Sequence, residues 1–300
     1  MDAAMRRILA ALLFLTLAAC APSPTPPPAP VKVSSPAPSA VSALTAEQVR
    51  NASVSLSTLT GDTPITYLLQ DGAYISNTGS AAITLLDPLA FGDLNGDGAG
   101  DAAALLAESY GGSGTFVSLL IFLNEGRQPA QAAVTPIDDR PVIQDVRIEA
   151  GQVALEAVIH GFEDPMCCPT LATSRHYALV GSVLALRDFS TLAADGRWRE
   201  IQVTSPQDGD GASSAHIQGT VTIAPFENNL TYHVFDAAGN ELAVGPVTVT
   251  AAELGASGAF DAVIALNGIS AGATVRIEIQ DVSAADGSLL AMDSVILTVK

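Results

Sequence analysis

Two short stretches hold the residues best suited to chemistry. In Asp93-Leu94-Asn95-Gly96-Asp97-Gly98-Ala99-Gly100-Asp101, side-chain oxygens recur at the first, third, fifth and ninth positions, with glycine at the sixth. Alternate residues can direct their oxygens at one centre while glycine permits a sharp turn, which suits hard Ca²⁺ with its roughly six to eight oxygen ligands. The same residues also fit an Asp/Gly-rich turn closed by Asx hydrogen bonds. The second stretch is Asp164-Pro165-Met166-Cys167-Cys168-Pro169. Neighbouring Cα atoms lie about 3.8 Å apart, short of the roughly 4.4–6.8 Å of ordinary disulfides. A vicinal bridge between Cys167 and Cys168 therefore closes a strained ring and stiffens the turn, and an oxidising compartment favours it. A bridged or simply buried pair is the first expectation. The alternative is a soft-metal or redox site, in which Met166, Cys167 and Cys168 join His160 or His176 to hold Cu(I).

The remaining reactive groups form no recognisable catalytic set. His160, His176, His216 and His233 fall in no metalloprotease spacing. Ser113 lies between Gly112 and Gly114 without the frame of a nucleophile elbow. His233 alternates with Tyr232 and Val234, which puts it on an exposed strand face, and Phe226 and Glu227 read as packing and turn residues. The expectation is a non-enzymatic protein. A hydrolase whose site assembles only in three dimensions is the alternative.

The 300 residues carry a formal net charge of −18. Asp2, Arg6 and Arg7 lie in the leader described next, so residues 20–300 hold 11 Lys and Arg against 30 Asp and Glu, a net of −19. Such a chain is repelled by nucleic acid and by anionic headgroups, and cations are its natural counter-ligands. Of the three cysteines, only Cys167 and Cys168 lie beyond the leader region, so no wider disulfide scaffold exists.

Arg6 and Arg7 precede a short apolar run, Ile8 to Leu17, and then Leu17-Ala18-Ala19-Cys20. The run is too short to span a bilayer. The ending resembles the lipobox of bacterial lipoproteins. That resemblance implies cleavage of residues 1–19, lipidation of Cys20, and an extracytoplasmic protein held on the membrane of the cell envelope. Residues 20–44 are rich in Pro, Ser and Ala, and the prolines of residues 21–40 favour an extended tether of roughly 60 Å at about 3.1 Å per residue. Membrane attachment is then through lipid, and an envelope protein or cell-wall component is the expected partner.

The elements that must position these residues are strands. Thr45 and Gln48 have the spacing of a capping box, so a short helix opens a domain over residues 45–192. Phe116 to Leu123 is apolar on both faces and reads as a buried central strand. Residues 144–149 and 153–159 alternate around Ala150-Gly151 as a half-buried antiparallel hairpin. This domain is expected to be an antiparallel β-sheet or sandwich with a short leading helix. Over residues 199–300, alternation recurs in about seven short strands, as an immunoglobulin-like sandwich requires. Val275, Ile277 and Ile279 are expected inward, with Arg276, Glu278 and Gln280 outward. The whole chain is therefore expected to be all-β.

Three resemblances add to this reading. The 93–101 loop resembles the calcium loops of FG-GAP repeats and dockerin-like segments. That implies side-chain ligands at Asp93, Asn95, Asp97 and Asp101, and the carbonyl of Ala99. Ala104 stands where those loops carry a bidentate acid, which implies weak binding of about 10⁻⁴ to 10⁻³ M and a structural ion. TAEQVRNA, GDLNGDGAGDAAALL, GGSGTF and DPMCCP resemble an uncharacterised bacterial lipoprotein domain. VTSPQDGD, IQGTVTIAPFENNLTYHVFDAAGNEL, GASGAFDAVI and DGSLLAMDSVILTV resemble the immunoglobulin-like domain of bacterial spore germination proteins, associated with GerM-type modules. It implies an envelope module for protein or wall contacts, without catalytic residues.

Overall fold

Leu44 is already buried in the core, and Thr45 starts the first helix by the reciprocal bonding its spacing implies. Its hydroxyl accepts from Gln48 N at 3.3 Å while Gln48 Oε1 accepts from Thr45 N at 2.8 Å, starting helix α1 (Ala46–Arg50). The computed structural model describes residues 42–57, 63–77, 79, 81–181 and 183–300; the leader, Cys20 and most of the tether lie outside them. The helix is short and buries only Val49. It shares a core with the hairpin β1 (Ser53–Leu56) and β2 (Ile65–Leu68).

Strands β3 (Ala73–Ile75), β4 (Ala82–Gly92), β5 (Asp101–Ser109), β6 (Phe116–Glu125) and β7 (Gln128–Asp139) form an antiparallel meander in that order. β5 and β6 are buried on both faces, which is why Phe116 to Leu123 shows no alternation. Ala102, Ala104, Leu106, Leu120 and Phe122 pack toward α1 and the first hairpin. Ala103, Leu105, Leu119 and Ile121 pack the other way, against β8 (Val142–Glu149), β9 (Gln152–Ile159), β10 (Leu171–Val180) and β11 (Val183–Leu192). The β8–β9 turn is made by Ala150 and Gly151, both left-handed (φ 49° and 77°), as a tight hairpin matched to strand twist requires.

A turn closed by Ala193 N donating to Arg197 O (2.9 Å) leads to β12 (Trp198–Arg199) and β13 (Ile201–Ser205). There follow β14 (Gly211–Ala212), β15 (Ser214–Val221), β16 (Asn229–Asp236), β17 (Glu241–Ala251), β18 (Gly258–Ala265), β19 (Thr274–Val282) and β20 (Leu289–Val299). This is a sandwich of the immunoglobulin type. β13, β15 and β18 make one sheet, and β16, β19 and β20 the other. The long β17 pairs with β16 through its first part and with β18 through Val249–Ala251, so it passes from one sheet to the other. β14 runs parallel to β20. Between the sheets lie Ile217, Leu230, Val247, Phe260, Ile264, Val275, Ile277, Ile279 and Leu297. Gly219 is required by packing: a Cβ there would sit 2.3 Å from Phe260 Cζ and from the Gln202 carbonyl oxygen.

The two halves share strand pairing. β11 joins β20 through Asp188 opposite Asp293 and Phe189 opposite Met292, so the sandwich sheet continues through β11, β10 and β9 to β8. This continuation corrects the reading of β19. Arg276 and Glu278, expected to face solvent, are only 8% and 7% exposed. The β10–β11 hairpin covers that face: Ser294 Oγ donates to Arg187 O at 2.9 Å, and the hairpin tip at Gly181 and Val183 meets the turn at Ala237 and Gly239. Arg276 pairs with Glu278 and lies over the Phe235 ring at 4.7 Å. Burial, and then the nearby Arg187, push its guanidinium down to about 10. His233 is likewise half-buried, stacked on Phe235 and 3.0 Å from Glu241. Phe226 departs the other way: it packs into no core and is 62% exposed on a turn whose next two residues are both left-handed.

Candidate functional site

The 93–101 loop joins β4 to β5, with Gly96 and Gly98 supplying left-handed backbone. Its polar side chains hold the turn. Asp93 Oδ1 accepts from Gly96 N (2.7 Å) and Oδ2 from Gly98 N (2.9 Å). Asn95 Oδ1 accepts from Asp97 N (3.0 Å), and Asp97 Oδ1 from Ala99 N (2.7 Å). The Gly98 amide foremost, and then that of Gly96, hold the Asp93 carboxyl below the usual range. Asp101 is fully buried and accepts from Leu94 N and Asn124 N, both at 2.9 Å, so it ties the loop to β6. Among the described residues, no three His, Cys, Asp or Glu side chains are grouped as a metal cage.

The second stretch forms the loop between β9 and β10. The sulfurs of Cys167 and Cys168 are bonded to each other, with Cα atoms 3.8 Å apart, and both residues are exposed. Asp164 accepts from Gly161 N (2.8 Å), Thr170 N (2.7 Å) and the Thr170 hydroxyl (2.8 Å). His160, at the foot of the loop, has its ring Nδ1 2.9 Å from Asp138 Oδ2. That carboxylate, more than any other neighbour, raises the imidazole's pKa. His176 does not belong with this group. It lies up β10, about 17 Å beyond Leu171 at the usual strand rise of about 3.4 Å per residue.

His176 belongs to a third constellation, one that the motifs did not single out. Cross-strand register lines up Glu156, Ser174 and Ser190 in one row across β9, β10 and β11. The next row holds His176, Asp188 and, on β20, Asp293. Where β12 and β13 pass this face, a trough opens as two cavities of about 370 and 640 Å³ that share His176 and Asp188. Arg187, Asp208, Val203 and Asp293 line the smaller; Glu156, Ser190, Trp198, Glu200 and Gln202 line the larger. His176 Nδ1 is 3.4 Å from Asp188 Oδ1. Arg187 is buried and spends Nη2 on both Asp208 oxygens at 2.9 Å, which leaves the trough predominantly acidic.

Asp293 is its most perturbed group. Burial pushes its carboxyl up to about 6 against the stabilising amides of Val203 (2.6 Å) and Ser294 (2.7 Å), and the charge of Asp188 pushes it further. A sequence signal for Asp293 existed. It shares alternation parity with Val295, Leu297 and Val299, which places a carboxylate on an otherwise apolar inner face. The chemistry such a trough offers is attraction for a cationic group, with Trp198 as an aromatic wall.

The fold defines an all-β protein that ends in an immunoglobulin-like sandwich. Residues 200–288 match one protein family, Gmad2, the immunoglobulin-like domain of bacterial spore germination. No curated protein matches the chain at a significant level. The matched span stops just before β20, so Asp293 and the pairing that joins the halves lie beyond it.

Proposed function

We propose that this chain is a non-enzymatic, lipid-anchored protein of the bacterial cell envelope that binds a protein or cell-wall component carrying cationic groups. The observation that supports binding is the acidic trough, where Asp188, Asp293, Glu156 and Glu200 surround an opening walled by Trp198. Clefts of one sign focus their field and recruit oppositely charged partners. Anchoring rests on the lipobox-like sequence at Cys20. The test is capture of partners from the native envelope by the full chain and by Asp188→Asn with Trp198→Ala. Loss of specific partners in the variant supports the reading; an identical set of partners removes it. Incorporation of labelled fatty acid, abolished in Cys20→Ala, tests the anchor, and an unlabelled wild type overturns it.

Calcium at Asp93, Asn95, Asp97, Ala99 and Asp101 belongs to the same proposal as a structural ion. Carboxylate oxygens that accept one amide retain a further lone pair for a cation. A rise in Tm with millimolar Ca²⁺ that disappears in Asp97→Ala supports the ion; an unchanged Tm removes it.

A further inference from the structure

A disulfide stabilises a chain chiefly by closing a loop in the unfolded state, and the effect grows with loop length. The bond between Cys167 and Cys168 encloses no intervening residue, so this contribution all but vanishes. The loop does not depend on the bond either. The Asp164 carboxylate gathers Gly161 and Thr170 at the loop's two ends, and Cys168 N donates to Pro165 O at 2.9 Å. What the bridge does have is access. Both cysteines are exposed, and beside them Phe162 and Met166 are 69% and 68% exposed. Exposed disulfides are the labile and regulatory ones, whereas structural disulfides resist the glutathione pool. Below the loop, the His160 ring is fixed by Asp138 with the Met166 backbone beside it, one residue from Cys167.

We propose that Cys167–Cys168 is a reversible thiol–disulfide exchange site whose partner is a protein dithiol, and that Phe162 and Met166 form the apolar surface on which that partner rests. A thiolate of the partner attacks one sulfur, forming a mixed disulfide and releasing the other cysteine as thiolate. The partner's second thiol then attacks the mixed disulfide, releasing the first cysteine and leaving the partner oxidised. Two electrons pass to this chain, and Cys167 and Cys168 take up the two protons. His160 is a positioning residue: its ring, when protonated, favours the departing thiolate. The ring faces the carboxylates of Asp138, Asp139 and Asp164, with Arg140 paired to Asp139.

The test uses the native full chain, dithiothreitol and glutathione buffers as probes, and alkylation read by mass. Reduction of the bridge is expected in a glutathione buffer that leaves structural disulfides intact, with an unchanged circular dichroism spectrum. Cys167→Ser with Cys168→Ser is expected to melt within about 2 °C of the wild type, because the bond closes no loop. Rates divided by dithiothreitol thiolate concentration are expected to fall several-fold in His160→Gln at pH values low enough to protonate the imidazole. The difference should close as pH rises through the titration of His160. A bridge that yields only when the protein unfolds, or a double-serine variant that melts many degrees lower, overturns the proposal.

Discussion

Asp188 and Asp293 face each other directly across the ladder between β11 and β20, two carboxylates in cross-strand register at the seam between the halves of the protein. Like charges so placed are destabilising. The Asp293 carboxyl, pushed up to about 6, binds a proton in the folded state at pH values where the unfolded chain has released it. Its contribution to stability is therefore full below about pH 4 and lost as pH rises to 6. Asp188→Asn should stabilise the protein at pH 7 by about 0.5–1 kcal/mol. It should also flatten the slope between pH 4 and 6 in urea denaturation.

The Arg276–Glu278 pair gives a second prediction. Removing one member of a buried pair strands the other charge, at a cost of about 3–5 kcal/mol. Glu278→Ala should reach that range, since Arg276 would keep Arg187 as its charged neighbour. Arg276→Met with Glu278→Leu should recover most of the loss, measured as a double-mutant cycle in guanidinium.

Gly219 gives a third. The 2.3 Å approaches to Phe260 and the Gln202 carbonyl leave no room for a methyl group. Gly219→Ala should cost about 1–3 kcal/mol or more. Phe260→Leu should return part of it by relieving the side-chain clash but not the backbone one.

Glu227 gives a fourth. It occupies left-handed backbone (φ 55°) at the first centre of a tight turn that Asn229 N closes on Phe226 O. Glu227→Gly should stabilise by about 0.5–1 kcal/mol and raise Tm by roughly 2 °C. The outcome is read in a thermal melt, and Phe226 should remain accessible to solvent in fluorescence quenching of a Phe226→Trp reporter.

Alternation made much of the C-terminal sandwich legible, because Ile217, Val275 and Leu297 each lie on the inner face of a sheet with a one-sided core. The two-sided burial of Leu119 to Phe122 was legible as well, from an unbroken apolar run. Alternation identifies an inner face but is silent on whether another element covers the outer one. The burial of Arg276 and Glu278 depends on a hairpin from the other half, whose Arg187 contacts Ser294 at a separation of 107 residues. The trough was hidden for the same reason: no local pattern in β11 indicates that Asp188 will meet Asp293. Phe226 was misread because a large apolar residue next to a turn usually packs inward, whereas the left-handed Glu227 and Asn228 accompany an outward one.

The pairing of β11 with β20 also imposes a timetable. Leu289–Val299 is made well after β11, yet it supplies that strand's neighbour. Until it arrives, the outer edge of β11 beyond its short contact with β12 offers bare amides and carbonyls, a template for pairing with any other extended chain. A nascent molecule is thus sticky along one flank between the emergence of β11 and that of β20, and β20 acts as the latch that closes that flank.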